Sequence, residues 1–222
     1  MYFTADTPLF RYEIMMQGIP NFLPRGHGIH VTVTKVSETV DCEYCLFFNR
    51  KKCALPRCPY IEDKIRTGTA SIRQIMTETM SEIHCERFWD RLNQYIKESE
   101  NSRMNDCNKK HEKDFNKALE RIDNNNEKLV SAVYLLTADT QLWRRVQNQV
   151  EKNCIRFDKM NIGSVDEKAY TLFCCAKDLY LGTKHITIAD LADEQLISPK
   201  MFGIICNTLA IRRFGIGVLN QN

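Results

Sequence analysis

The chain has 222 residues, ten cysteines, a formal net charge of +3 and 43% hydrophobic side chains. A chain this long buries roughly 70% of its unfolded surface, so a core without disulfides is within reach and the cysteines need another explanation. Neither a membrane helix nor a signal peptide is expected. No apolar run approaches the ~18 residues of a span, and the opening MYFTADTPLFRYEI carries Asp6 and Glu13 in place of a basic start and an apolar stretch.

A reduced, cytoplasmic setting follows, and there clustered cysteines hold metal more often than they pair. Residues 20 to 60 are rich in loop formers, with Pro20, Pro24, Gly26, Gly28, Pro56 and Pro59 around one alternating run, IHVTVTKV from Ile29, that predicts a strand. His27 and His30 precede it and read as turn histidines. The stretch CEYCLFFNRKKCALPRC then places two residues between Cys42 and Cys45, seven more before Cys53 and a further four before Cys58. Two close pairs joined by a turn converge on one tetrahedral ion. Zn²⁺ is the natural occupant, with four thiolates at ~2.3 Å and no open position for substrate. An iron–sulfur cluster or labile thiols are the other uses of such a cluster. In the linking stretch, Leu46, Phe47 and Phe48 are strand-like and Asn49 to Lys52 form a polar turn, whose basic tip, Arg50, Lys51 and Lys52 with Arg57, is the candidate contact with a partner.

From Tyr60 the apolar spacing becomes helical. Ile61 and Ile65 precede Gly68. Ile72, Ile75, Met76, Met80 and Ile83 form a second stripe, and Phe88, Trp89, Leu92, Tyr95 and Ile96 a third. Phe115, Leu119 and Ile122 mark another helix, broken at Asn124. LVSAVYLLTA and TQLWRRVQNQV follow, joined at Asp139, a cap for the second. KAYTLFCCAKDLYLG ends at Gly182, suited to a left-handed cap. Cys174 and Cys175 read as core because their neighbours are apolar. Ser198 before Pro199 has the form of an N-cap with proline at the first helical position, opening PKMFGIICNTLAIRRFG. That helix is apolar on most sides, which predicts a buried position at the centre of its domain.

The fold class expected is therefore mostly α: a zinc-stabilised N-terminal region with a short β element over 1–60, amphipathic helices over 61–103, and a helical domain over 108–217. A second metal site of two sulfurs and two nitrogens is conceivable from His84, Cys85, Cys107 and His111, provided the segment from Met104 folds back beside Ile83. A buried cysteine and partly exposed histidines are the plainer account. Glu112 and Asp114, next to His111, read as a solvated face. There is no phosphate-binding glycine loop, G-x-S-x-G elbow or H-E-x-x-H helix, so no enzyme signature is found. HITIADLADEQLISPKMFGIICNTLAIRRFG has the rhythm of a helix-turn-helix, which makes a nucleic-acid-binding regulator the alternative function. Its second helix offers only Lys200 and Asn207 to base edges. Acids and bases also nearly balance over 61–130 and over 131–222, leaving no basic stripe.

The stretch AYTLFCCAKDLYLGTKHITIADLADEQLISPKMFGIICNTLAIRRFGIG, with KLVSAVYLLTAD upstream, resembles an uncharacterised family carried by phages and conjugative elements of Gram-positive bacteria. The first half, with its four cysteines, KIRTG and RLNQYIKESE, is similar to proteins of the same elements. The resemblance implies accessory cargo of a mobile genome acting in the cytoplasm of a bacterial host. Among small zinc-containing proteins of that kind are the anti-CRISPR inhibitors of host defence nucleases. The function expected is thus non-enzymatic binding of a host protein, a type II CRISPR effector nuclease, by occupancy of its surface.

Overall fold

In the computed structural model, which describes residues 6–20, 48–49, 52–53, 58–99 and 108–220, most helices begin where a polar side chain accepts from one of their first backbone N–H groups. Two compact units are present, residues 1–56 and residues 57–222.

In the first unit, helix α1 (Phe10–Gln17) has no side-chain cap, and none of its residues from Phe10 to Met16 is buried. The sequence expectation assigned no element there, because FRYEIMMQ has apolar residues on every side and so no stripe. A two-residue antiparallel pair, β1 (Phe48–Asn49) with β2 (Lys52–Cys53), aligns Phe48 with Cys53 and Asn49 with Lys52. Asn49 and Lys52 are therefore strand partners and not part of the turn expected over 49–52. The strand expected from Ile29, and His27 and His30, lie outside the described residues.

The second unit is helical. Helix α2 (Ile61–Thr67) ends at Gly68, whose φ of 73° few other residues adopt without strain. Helix α3 (Ile72–Thr79) starts with a capping box, in which Gln74 N donates to Ser71 Oγ and Ser71 N donates to Gln74 Oε1, both at 3.2 Å. Helix α4 (Glu86–Ser99) buries Phe88, Leu92 and Ile96, one turn apart. Helix α5 (Lys109–Leu119) is capped by Asn108, and helix α6 (Glu127–Thr137) by Asn126. Every residue of α6 from Leu129 to Thr137 is buried, so α6 is a core helix on all sides. Helix α7 (Thr140–Val146) starts at Asp139, whose carboxylate accepts from Leu142 N at 2.8 Å, as expected. The helix expected to run on through QNQV instead tightens into a 3₁₀ turn over Gln147–Gln149.

Helix α8 (Glu167–Leu181) ends at Gly182, with φ 75°. Helix α9 (Ile188–Ala192) has a second capping box, Thr187 with Asp190. Helix α10 (Pro199–Phe214) opens with Ser198 as cap and Pro199 in its first turn.

The helices expected as separate stretches, 61–103 and 108–217, share one core that runs from Ile61 to Leu219. Helix α6 packs on α8 and α10, α5 and α7 flank α6, α3 packs on α10, and α9 packs on α4. Two arginines fasten chain ends across this core. Arg91, 6% exposed, donates to the carbonyls of Leu191, Asp193 and Ile197 and lies 4.5 Å from the centre of the Phe202 ring, so α4 holds the whole α9–α10 connection. Arg213 donates to the Glu78 carbonyl at 2.8 Å and pairs with its carboxylate at 3.1 Å, satisfying the C-terminal end of α3.

Candidate functional site

Of the four cysteines expected to hold zinc, Cys42 and Cys45 lie outside the described residues. Cys53 is placed by its backbone in β2, and Cys58 belongs to the second unit, half-buried against the helical core. Of the expected partner contacts, Arg50, Lys51 and Arg57 lie outside the described residues and Lys52 is placed by its backbone in β2. Cys107 also lies outside them.

The other members of the second metal set are separated in character. His84 is exposed in the connection before α4, with Cys85 half-buried beside it. His111 is 3% exposed, and its Nε2 lies 2.9 Å from the Tyr134 carbonyl, which fixes that nitrogen as the protonated one of a neutral ring. Its ring centre lies 4.5 Å from that of Tyr134, the two planes tilted by 55°, and it neighbours Phe115. Desolvation pulls His111 below the ordinary histidine range, and the Tyr134 carbonyl only partly offsets it. Among the described residues no group of three or more His, Cys, Asp or Glu side chains is placed to hold a metal ion.

A second histidine is tied to an acid. Asp178 Oδ1 lies 2.6 Å from His185 Nδ1 and accepts from Thr183 Oγ1 at 2.7 Å, while Oδ2 accepts from the backbone N–H groups of His185 and Ile186 at 2.8 and 2.9 Å. Burial alone would raise this carboxyl, but the four hydrogen bonds outweigh it and hold Asp178 below its ordinary value. With both oxygens committed to residues 183–186, the carboxylate organises the α8–α9 connection. It does not complete an activated thiol with Cys174, one turn earlier on α8. That sulfur is buried and its thiol is pushed up, first by desolvation. Cys175 is pushed up to about 12 by burial, and both cysteines lie in the core as expected.

A charged cleft of ≈ 470 Å³ lies between α5 and α7. Lys110, Asp114 and Lys117 line it from α5, with Arg121 just past the end of that helix. The spacing i, i+4, i+7, i+11 sets them in one stripe. Arg144 faces them from α7, and the buried Ala118 and Trp143 line it between the two helices. Glu120 is the second acid on the rim. Lys110, Lys117, Arg121 and Arg144 are exposed and make no ion pair among the described residues, whereas Arg66, Arg156 and Arg213 each do. Sequence reasoning took the α5 charges for a solvated face and found no basic stripe. The signal was the seven- and four-residue spacing of Lys110, Lys117 and Arg121, but Arg144 joins them only through the packing of α5 and α7 on α6.

Helix α10, the second helix of the helix-turn-helix rhythm, is buried at ten of its sixteen positions, including Asn207. It is the central core helix expected from its composition, and of the two polar side chains offered to base edges Asn207 is buried and Lys200 exposed. No helix among the described residues is long and apolar enough to cross a membrane. Comparison with protein-family models, with curated proteins and with solved structures finds no match to this chain.

Proposed function

We propose that this chain is a binding protein of a phage or mobile element that inhibits a host defence nuclease, a type II CRISPR effector, by occupying its surface. In this reading Zn²⁺ on Cys42, Cys45, Cys53 and Cys58 folds the N-terminal region, and the basic tip Arg50, Lys51, Lys52 and Arg57 contributes contacts. The observation that carries the binding part is the α5–α7 cleft, where four exposed cations make no ion pair among the described residues. Asp114 and Glu120 offset part of the repulsion among these cations but leave the rim net positive, and a complementary surface gains both speed and specificity of association from it. The choice of target rests on the resemblance to mobile-element proteins.

The test is reconstitution. The purified chain should co-elute with a purified type II effector, suppress target cleavage and hold one zinc per chain. Cys42→Ala with Cys45→Ala should lose zinc, complex and inhibition while the helical circular dichroism of residues 57–222 persists. A metal-free, fully folded chain, or unhindered cleavage at saturating protein, would overturn the reading.

A further inference from the structure

We infer that the α5–α7 cleft receives an acidic polypeptide segment of mixed charge, not a nucleic-acid backbone. The inference rests on the reading of the chain as a binding protein, and it names the chemistry of what is bound. Along α5 the rise of 1.5 Å per residue sets Lys117 about 10 Å beyond Lys110, with Arg121 in the turn that follows the helix. Arg144 stands across the cleft from this line. The two guanidiniums suit carboxylates, which they can hold through paired, charge-assisted hydrogen bonds.

The acids of the rim decide between polyanions. Asp114 lies between Lys110 and Lys117 on the same stripe, and Glu120 stands next to Arg121. A phosphodiester backbone is uniformly negative, so in any register along this stripe it meets the Asp114 carboxylate as well as the lysines. A polypeptide can set glutamates or aspartates against the four cations and a lysine or backbone N–H against Asp114. Like charges opposed across an interface are costly, so the mixed rim selects the second kind of partner. The floor adds a donor. The Trp89 indole N–H is committed to the Ile83 carbonyl at 2.7 Å, whereas that of Trp143 has no acceptor among the described residues and can serve a bound carbonyl or carboxylate.

Trp143 also supplies the readout, because Trp89 is the one other tryptophan in the chain. In the full chain carrying Trp89→Phe, a glutamate-rich peptide with interspersed lysines should shift Trp143 emission at low salt and bind less tightly as salt rises. Oligothymidylate should bind more weakly than the peptide. Lys117→Glu with Arg121→Glu should weaken the peptide at least about tenfold with helical circular dichroism unchanged. Asp114→Lys should reverse the preference by admitting oligothymidylate. The inference is overturned if neither probe binds, if oligothymidylate binds the parent chain as tightly as the peptide, or if the charge reversals leave peptide affinity unchanged. The same double variant separates the two readings in the nuclease assay. Undiminished inhibition removes the cleft from the interface and leaves the inhibitor standing, whereas cleft-dependent peptide binding without any nuclease complex removes the proposed target and leaves the cleft.

Discussion

His111 lies on the inner face of α5 with Tyr134 and Phe115 against its ring, Asp114 drawing its proton on and Lys200 pushing it off. Because burial holds the folded-state value below the ordinary 6.5, the unfolded chain binds the proton first. Stability contributed by this residue is full above about pH 6.5 and is lost as pH falls toward the folded value, where the loss levels off. His111→Phe keeps the packing but loses the hydrogen bond to the Tyr134 carbonyl, which retains Thr137 Oγ1 at 3.0 Å as a donor. The variant should lose about 1 kcal/mol at pH 7.5, and the difference should shrink toward pH 5, as read from urea midpoints across that range. An unchanged difference would place the pH sensitivity elsewhere. Asp178 acts in a lower window: its stabilisation is present above its ordinary 3.8 and is lost as pH falls through the depressed folded value.

At the scale of the element, the contact of α4 with α10 depends on one absent side chain. A Cβ at Gly203 would fall 2.7 Å from Tyr95 Cε2, and the Tyr95 hydroxyl donates to the buried Asn207 Oδ1 at 2.7 Å, one turn along α10. Tyr95 thus lies across Gly203, with its ring also edge-on to Phe202 at 6.3 Å. Gly203→Ala gains up to about 1 kcal/mol of helix propensity but overpacks the contact by about 1–3 kcal/mol, so a net loss is expected, of a few degrees in melting temperature. With Tyr95→Leu already in place, the same alanine should cost less, and a double-mutant cycle would measure the difference.

Much at this scale was legible in the sequence. Stripes such as Ile72, Ile75 and Met76, and boundaries such as Asp139, Gly182 and Ser198–Pro199, are set by neighbours within one or two turns. The even apolarity of α10 announced its central place for the same reason. What was illegible depends on residues far apart in the chain. Arg91 meets carbonyls about a hundred positions later, Asp178 gathers a connection that had no period to read, and the cationic cleft exists only once α5 and α7 lie on the same helix. Helix α1 escaped because it has no preferred face. Two of the four cysteines of the expected zinc cage, Cys42 and Cys45, lie outside the described residues, so the cage is a proposal drawn from ligand chemistry.

For the whole molecule, the division at Pro56 and Arg57 has a measurable meaning. The buried core of the described residues is drawn entirely from the second unit, Ile61 to Leu219. A fragment spanning 57–222 should therefore fold alone, with helical circular dichroism and one cooperative melting transition that a zinc chelator leaves in place. Chelation of the full chain should change the signal of residues 1–56 and free the Cys58 thiol, with the helical transition left in place. A fragment that fails to fold, or a helical transition that disappears with the metal, would show that the units are not independent.

The position of α10 in the chain also bears on synthesis. It packs on α3, α6 and α8, yet all three leave the ribosome before it does. Until residues 199–214 emerge, the sides of α3, α6 and α8 that face α10 stay uncovered, and the Arg91 guanidinium, whose carbonyl acceptors at 191–197 are already made, lacks the Phe202 ring it rests on. Consolidation of the helical unit then waits for its final stretch, and a ribosome stalled before that point would display sticky, chaperone-binding helices in place of a half-built domain.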